Sequence, residues 1–293
     1  MKLIDLTNRT WQWVVLISLA FIWGTSFILM KRGLVSFSNY QVAELRIFIT
    51  FLFFLPLIFR HFKKMKRKHI KSLLIAGFLG NAIPAVLFTT AQTQISSSLA
   101  GILNSTTPIF TMIVGVILYK SRSKWLNNVG LIIGLIGAIG LIIKDFSSII
   151  EGTNWYALLV VLATFLYGIN TNEVKANLED LNGVAISALS FMFIGPVAGI
   201  MLAFSDFEPV LATETWQMSL FYISVLSFFS SFIALIGMNI LIKYTTPVFV
   251  STVTYIIPIF AIFWGLFDGE ILTLRDLIWI LVVIFGVYLV NKK

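Results

Sequence analysis

The sequence predicts an all-α integral membrane protein with ten transmembrane helices, arranged as two five-helix repeats of inverted topology. Three observations lead to this fold class: an apolar composition, a bias of basic residues to one side of the predicted helices, and a similarity between the two halves. The 293 residues are 58% hydrophobic and only 12% charged, with a mean hydropathy of +0.95. A soluble domain of this length would need far more polar surface, so we exclude that class.

Apolar runs long enough to cross a bilayer recur along the chain. A hydrocarbon core about 30 Å thick needs about 20 apolar residues in a helix. The segment 70–119 is too long for one crossing and contains Pro84 and Pro108, so it is predicted as two helices. The ten predicted helices cover residues 11–30, 40–60, 70–91, 97–119, 125–143, 154–173, 183–204, 216–242, 247–267 and 274–291.

Basic residues set the predicted orientation. With the amino terminus inside and ten crossings, the inside segments hold about four times as many Lys and Arg residues as the outside segments. This bias predicts that both termini are cytoplasmic and that the number of helices is even. The net charge of +8 follows from these flanking residues, and their distribution indicates no nucleic-acid partner.

The two halves of the sequence resemble each other. The segment 101–110 aligns with 251–260, and Trp23-Gly24 aligns with Tyr167-Gly168. These pairs occur in the same order along five predicted helices in each half. They predict a first repeat over residues 1–145 and a second over residues 146–293.

Loop charges support the inversion independently. Because five crossings reverse the direction of the chain, equivalent loops of two inverted repeats lie on opposite sides of the membrane. The basic loop 60–71 corresponds to the loop 205–215, which carries acidic residues and no basic ones. Inverted repeats are a recurrent transporter architecture, in which the substrate site lies near the middle of the bilayer between the halves.

Short motifs at these positions are similar to those of a known family. Trp23-Gly24-Thr25-Ser26-Phe27, Leu45-Arg46, and the helices of Pro108 and Pro258, each followed by a glycine-containing helix, resemble the EamA family of the drug/metabolite transporter superfamily. In the second half the pattern departs from this, because Ala188 stands where a counterpart of Arg46 would be.

The resemblance implies a secondary transporter that moves a small organic metabolite, an amino acid or related compound, across the inner (plasma) membrane by alternating access, with export favoured. The sequence has no P-loop or other nucleotide motif, so any energy would come from a gradient. An importer or exchanger of a sugar-like or drug-like compound is an alternative. A membrane-embedded enzyme that modifies lipids is a less favoured one.

Polar and aromatic residues within the predicted helices are the candidate substrate-binding residues. Polar groups in hydrocarbon need partners, so they face the bundle or water. Arg46 could hold a carboxylate or stabilise helix packing, and the aromatic pair could line a cavity or only pack. The predicted substrate-binding residues are Trp23, Ser26, Arg46, Asn104, Tyr167, Asn170 and Tyr255.

Three further residues are assigned to proton coupling and to motion. Glu44 is the candidate proton carrier, although it lies only about 6 Å below the outer end of its predicted helix, from which it could snorkel. Pro108 and Pro258 remove backbone donors and are the predicted hinges. No cofactor, metal site or enzyme activity is predicted, since cysteine is absent and the two histidines have no ligand spacing. The expected partners are the substrate, the lipid bilayer and coupling protons, with both a monomer and a homodimer left open.

Overall fold

A computed structural model describes residues 5–95, 97–122, 124–142, 155–267 and 274–291. Every regular element within these ranges is helical, as the sequence predicted. The predicted boundary between the halves, at residue 145, lies outside the described residues. In chain order the helices are α1 (Arg9–Gly33), α2 (Asn39–His61), α3 (Arg67–Ala91), α4 (Ser97–Asn104), α5 (Thr107–Tyr119), α6 (Trp125–Ile142), α7 (Trp155–Asn177), α8 (Gly183–Ala203), α9 (Glu208–Leu211), α10 (Trp216–Tyr244), α11 (Pro247–Ser251), α12 (Val253–Phe267) and α13 (Leu274–Asn291).

Six of the described helices are long and apolar enough to span a membrane: α1, α2, α3, α7, α8 and α10. Shorter apolar stretches occupy α5, α6, α13 and the segment formed by α11 and α12. Large apolar side chains lie on the outer surface, and Ile117 and Leu281 are 69% and 66% exposed. Lipid tolerates such surface where water would not. The chain is therefore a multi-pass membrane protein.

The predicted fourth and ninth helices are each interrupted, the fourth between α4 and α5 and the ninth between α11 and α12. At both breaks a threonine hydroxyl donates to the carbonyl three residues earlier, Thr106 to Leu103 and Thr252 to Phe249, both at 2.6 Å. Such bonds compete with the regular helical pattern. The sequence predicted weak points in these two helices at the prolines, but it did not predict breaks at Thr106 and Thr252, because hydropathy does not register hydroxyl groups that bond locally.

The two proline hinge candidates occupy different places relative to these breaks. Pro108 lies in the first turn of α5, directly after the break, where a missing amide donor costs little. Pro258 lies inside α12, beyond the break at Thr252. The prolines align in sequence, but only Pro108 adjoins its interruption.

π-helical segments interrupt α3 and α10 near their middles, at Phe78–Ala82 and Ser227–Ile233. A π turn inserts one extra residue into the helix and occurs frequently at functional sites. The apolar pattern of the sequence predicted neither segment.

The helices that follow α1 and α7 both begin at a capped residue. The Ser38 hydroxyl accepts from the Gln41 amide at 3.3 Å at the start of α2. The Asn182 side-chain oxygen accepts from the Ala185 amide at 2.7 Å at the start of α8. These caps satisfy amide donors that have no partner within the helix.

Helices from before and after residue 145 pack across each other. The contacts pair α1 with α10 and α12, α7 with α3 and α5, α2 with α8, and α6 with α13. In the last pair Gly134 meets Gly286 so closely that a Cβ added to Gly286 would lie 2.3 Å from the Gly134 nitrogen. The long helices α1, α3, α7 and α10 consequently meet at the centre of the molecule.

Candidate functional site

A cavity of about 130 Å³ lies at this centre. Its walls come from both parts of the chain: α1 to α5 on one side, and α7, α10, α11 and α12 on the other. Six of the seven predicted substrate-binding residues line it: Trp23, Ser26, Arg46, Asn104, Tyr167 and Asn170.

The seventh predicted residue, Tyr255, is not among the lining residues. Its hydroxyl donates to the Leu131 carbonyl at 2.8 Å, and the side chain is fully buried. A Cβ on Gly134 would come within 2.7 Å of the Tyr255 ring, so the ring packs against the backbone of α6 at this glycine. The structure therefore places Tyr255 in the packing between α6 and α12, away from the cavity.

The π segment of α10 receives hydrogen bonds from three side chains of α1 and α2. The Trp23 indole donates to the Ser230 carbonyl at 3.0 Å, and Arg46 Nε donates to the Ser231 hydroxyl at 2.7 Å. Thr50 completes the set, because its hydroxyl donates to the Arg46 carbonyl at 2.6 Å and lies 3.2 Å from the Ser227 carbonyl. The irregular backbone thus fixes the positions of Trp23 and Arg46 at the cavity.

The π segment of α3 contacts α7 in a corresponding way. A Cβ on Gly80 would lie 2.5 Å from the Asn170 amide carbon, so that side chain rests directly on the glycine. Tyr167 stacks on Phe88 of α3, with ring centroids 6.1 Å apart. Trp23 and Tyr167, which align in sequence, therefore both lie against the π-containing helix of the opposite half.

Several polar groups at the cavity have no protein partner. The Asn170 side-chain oxygen is buried without a hydrogen bond. Among the hydrogen bonds of the described residues, Arg46 donates only through Nε, which leaves both terminal NH₂ groups unpaired. Ser26 differs, because its hydroxyl donates to the Trp23 carbonyl at 2.6 Å. Asn104 is also partly satisfied, since its side-chain oxygen lies 3.4 Å from the Thr107 hydroxyl.

The described residues that line the cavity carry positive charge and no negative charge. Arg46 is the one charged residue among the described residues that line the cavity. Buried charges are normally paired, because an isolated charge in a medium of low polarity is costly. The site therefore presents an uncompensated positive charge with free donors.

Glu44, the proton-carrier candidate, lies away from this cavity. It is 5% exposed, and the Ser205 hydroxyl lies 3.4 Å from its carboxylate. Two residues along a helix correspond to about 200° of rotation, so Glu44 and Arg46 face different neighbours. Proton coupling through Glu44 stays a prediction.

Hydrogen bonds hold α3, α5 and α7 together on one side of the cavity. Asp180 lies 2.7 Å from the Lys68 ammonium and 3.0 Å from His69 Nε2. Glu173 accepts from Ser72 at 2.6 Å, from Asn177 at 2.8 Å and from Tyr119. We call this group the ionic layer, comprising Lys68, His69, Ser72, Tyr119, Glu173, Asn177 and Asp180.

Two hydrogen bonds orient the His69 ring within the ionic layer. His69 Nδ1 accepts from the Lys66 amide at 3.2 Å, which leaves Nε2 to donate to Asp180. The hydrogen bonds from Lys68 and His69 lower the pKa of the Asp180 carboxyl to about 2. Sequence reasoning did not assign Glu173 to this role, although its place in the polar run 170–173 of α7 was a signal.

A different set of contacts joins the helix ends on the other side of the cavity. The Ser36 hydroxyl lies 3.0 Å from the Thr215 hydroxyl and 3.1 Å from the Ser219 hydroxyl. Ser219 also donates to the Arg32 carbonyl at 3.0 Å. We call Ser36, Thr215 and Ser219 the hydroxyl layer. It contains no charged side chain.

Known proteins resemble the chain over nearly its whole length. An "uncharacterized transporter" of Archaeoglobus fulgidus is 24% identical over 284 residues, covering 96% of this chain and 99% of the relative. The "uncharacterized inner membrane transporter YedA" of Escherichia coli K12 is 24% identical over 281 residues, covering 94% and 89%. A solved crystal structure matches with a TM-score of 0.75 at 11% identity, covering 96% of each chain, a likeness of fold alone.

A family model decides the assignment. The EamA-like transporter family matches the chain twice, over residues 10–143 and 154–292. The resemblance carried by the short sequence motifs is thereby confirmed. The chain belongs to the EamA-like transporter family.

Proposed function

We propose that the protein is a secondary transporter that moves a small organic metabolite, an amino acid or related compound, across the inner membrane by alternating access, in the direction of export. One observation carries this proposal: a central cavity lined by polar and aromatic side chains from both halves, with free hydrogen-bonding groups. The relative named as an inner membrane transporter supports the location.

We further propose that the chain has ten spanning helices in two inverted repeats, residues 1–145 and 146–293, with both termini in the cytoplasm. Corresponding features support this arrangement. Capped helices begin at Ser38 and Asn182, π segments interrupt α3 and α10, and breaks follow α4 and α11. The two family matches fall on either side of the proposed boundary.

Alternating access requires that the cavity be closed at one end while the other opens. In this proposal the ionic layer is the cytoplasmic closure and the hydroxyl layer is the outer one. The breaks between α4 and α5 and between α11 and α12 lie beside the cavity, and with Pro108 and Pro258 they are the proposed hinges. Broken helices at such a site are a feature of many secondary transporters.

Counterflow in proteoliposomes tests the transport function. Purified protein is reconstituted with a panel of amino acids, sugars and cationic dyes, with and without a pH gradient. We expect accelerated exchange of at least one amino-acid-type compound, reduced by Trp23→Ala and by Tyr167→Ala at equal reconstitution. Exchange of none of these compounds, together with hydrolysis or group transfer on lipid, would contradict the proposal and support the enzyme alternative.

Glu44→Gln tests proton coupling in the same vesicles. We expect the variant to retain counterflow and to lose the response to the pH gradient, because Gln keeps the shape of the side chain without the proton. An unchanged gradient response would exclude Glu44 as the carrier.

Accessibility of engineered tags tests the topology. A tag at each terminus should be reached only from the cytoplasmic side of oriented membranes, whereas a tag between residues 205 and 215 should be reached from outside. A carboxy-terminal tag on the outer face would refute the even number of crossings.

A further inference from the structure

We propose that the central cavity recognises a single carboxylate on its substrate, which Arg46 binds end-on through its two terminal NH₂ groups. This inference rests on the proposed transport function and names the chemical class of compound that the same site selects. It predicts preference for a carboxylic acid over the matching neutral amide, and for both over the matching amine.

The first argument is the balance of charge. Arg46 brings one positive charge to the cavity, and no acidic residue is among the described lining residues. A cationic substrate would add a second positive charge in a medium of low polarity, where like charges repel strongly. A monoanion neutralises the site, whereas a dianion would leave one negative charge without a partner.

The second argument is the geometry of the guanidinium group. Nε is already engaged by the Ser231 hydroxyl at 2.7 Å, which fixes the plane of the group. The two terminal nitrogens remain, and their parallel N–H bonds match the two oxygens of a carboxylate. Ser231 belongs to the π segment of α10, so a ligand held by Arg46 is placed at a junction of α2 and α10.

The third argument is the unpaired amide of Asn170. Its buried oxygen accepts no hydrogen bond from the protein, and it sits on Gly80 with no room to withdraw toward α3. A buried polar group without a partner is costly, so a substrate N–H or O–H group that pairs with the Asn170 oxygen regains that free energy. Asn170 thus supplies a neutral second contact and adds no charge.

Size restricts the rest of the substrate. The cavity has a volume of about 130 Å³, and an apolar protein cavity of about 150 Å³ holds benzene. The aromatic faces of Trp23 and Tyr167 leave an apolar wall for a compact side chain. The expected substrate is therefore a small monocarboxylate with a compact apolar side chain.

Three matched series of probes test the proposal by calorimetric titration of the purified full chain. The series are propanoate, propanamide and propylamine; 3-methylbutanoate, 3-methylbutanamide and 3-methylbutylamine; and phenylacetate, phenylacetamide and phenethylamine. In at least one series we expect the acid to bind about tenfold or more tightly than the amide, as for a hydrogen bond to a charged group. Phenylphosphonate, titrated at alkaline pH where it is a dianion, is expected to bind more weakly than phenylacetate at the same pH.

Variants assign the preference to Arg46. Arg46→Gln should abolish the difference in affinity between acid and amide. Arg46→Lys should still bind the acid more tightly than the amide, but with lower affinity, because lysine keeps the charge and lacks the two parallel N–H groups of arginine. Arg60→Gln is the matched control, since Arg60 is an exposed arginine in the last turn of the same helix. Should Arg46→Gln not fold, Arg46→Lys and Ser231→Ala carry the test: both should weaken binding of the acid, and Ser231→Ala should also lower the ratio of acid affinity to amide affinity.

Four results would overturn the proposal: equal binding of acid and amide in every series, tightest binding of an amine, tighter binding of the phosphonate, or no binding of any carboxylate. Failure of this inference is distinguishable from failure of the transport function. Counterflow of compounds without a carboxylate would refute only the substrate class. Carboxylate binding without counterflow of any compound would refute only transport.

Discussion

Replacing Gly286 with alanine should separate two helices that touch backbone to backbone. The new Cβ would lie 2.3 Å from the Gly134 nitrogen and 2.6 Å from its Cα. Ordinary van der Waals contact begins near 3.4 Å, so α6 and α13 must move apart by about 1 Å. Backbone atoms cannot rotate away as the end of a side chain can.

The magnitude follows from two opposing effects. Alanine in a helix is favoured over glycine by about 0.5–1 kcal/mol. Overpacking of a tight contact typically costs about 1–3 kcal/mol, and more where backbone must shift. We therefore expect Gly286→Ala to lower the free energy of unfolding by about 1–2 kcal/mol, seen as a lower midpoint of thermal unfolding in detergent.

Gly237→Ala is the control within α10. The nearest heavy atom to its added Cβ is Leu19 Cδ2 at 3.3 Å, a methyl group that can yield by a few tenths of an ångström. This variant should unfold at the wild-type temperature or above it, because only the gain in helix propensity remains. An unchanged midpoint for Gly286→Ala, or an equal decrease for Gly237→Ala, would refute the assignment of α6 and α13 as a backbone-to-backbone pair.

Three further predictions concern the cavity, the packing around it and the ionic layer. Trp23→Phe keeps an aromatic side chain but removes the indole N–H that donates to the Ser230 carbonyl. We expect transport to fall at least about fivefold, for a hydrogen bond worth about 1 kcal/mol. Trp13→Phe, which is away from the cavity, should transport normally. Tyr255→Phe removes the hydroxyl that donates to the Leu131 carbonyl. The free energy of unfolding should fall by about 1 kcal/mol, and transport should be retained. Loss of transport at normal stability would show that Tyr255 acts in substrate binding. The pKa of Asp180 is lowered from 3.8 to about 2 by hydrogen bonds from Lys68 and His69, so its contribution to stability is complete above about pH 4 and is lost as pH falls toward 2. The midpoint of thermal unfolding of the wild type should therefore fall as the pH is lowered from about 4 to 2. For Asp180→Asn the midpoint should fall less over this range. An equal fall in the two proteins would show that the Asp180 carboxylate does not contribute to stability.

Composition was sufficient for the all-helical membrane class, and short motifs such as Trp23-Gly24 were sufficient for the family. Six of the seven predicted substrate-binding residues line one cavity, because polar groups in apolar helices face other helices or a cavity and not lipid.

The features that sequence reasoning missed depend on contacts between distant segments. Tyr255 was predicted as a substrate-binding residue because it lies close to Pro258 in the sequence. Its hydroxyl donates instead to the Leu131 carbonyl. The π segments of α3 and α10 have no apolar signature, since inserting one residue hardly alters mean hydropathy. The contacts of Glu173 with Ser72 and Tyr119 could not be predicted, because these residues come from other helices.

The ionic layer contains charged side chains and the hydroxyl layer contains none, so dissolved salt should weaken the first and not the second. The Lys68–Asp180 pair is partly open to solvent, with side chains 63% and 38% exposed, and mobile ions screen such charges over about 8 Å at 0.15 M salt. Neutral hydroxyls do not respond in this way. Under the proposed alternating access, raising the ionic strength should therefore weaken the cytoplasmic closure and leave the outer closure unchanged, which would shift the protein toward the state that is open to the cytoplasm.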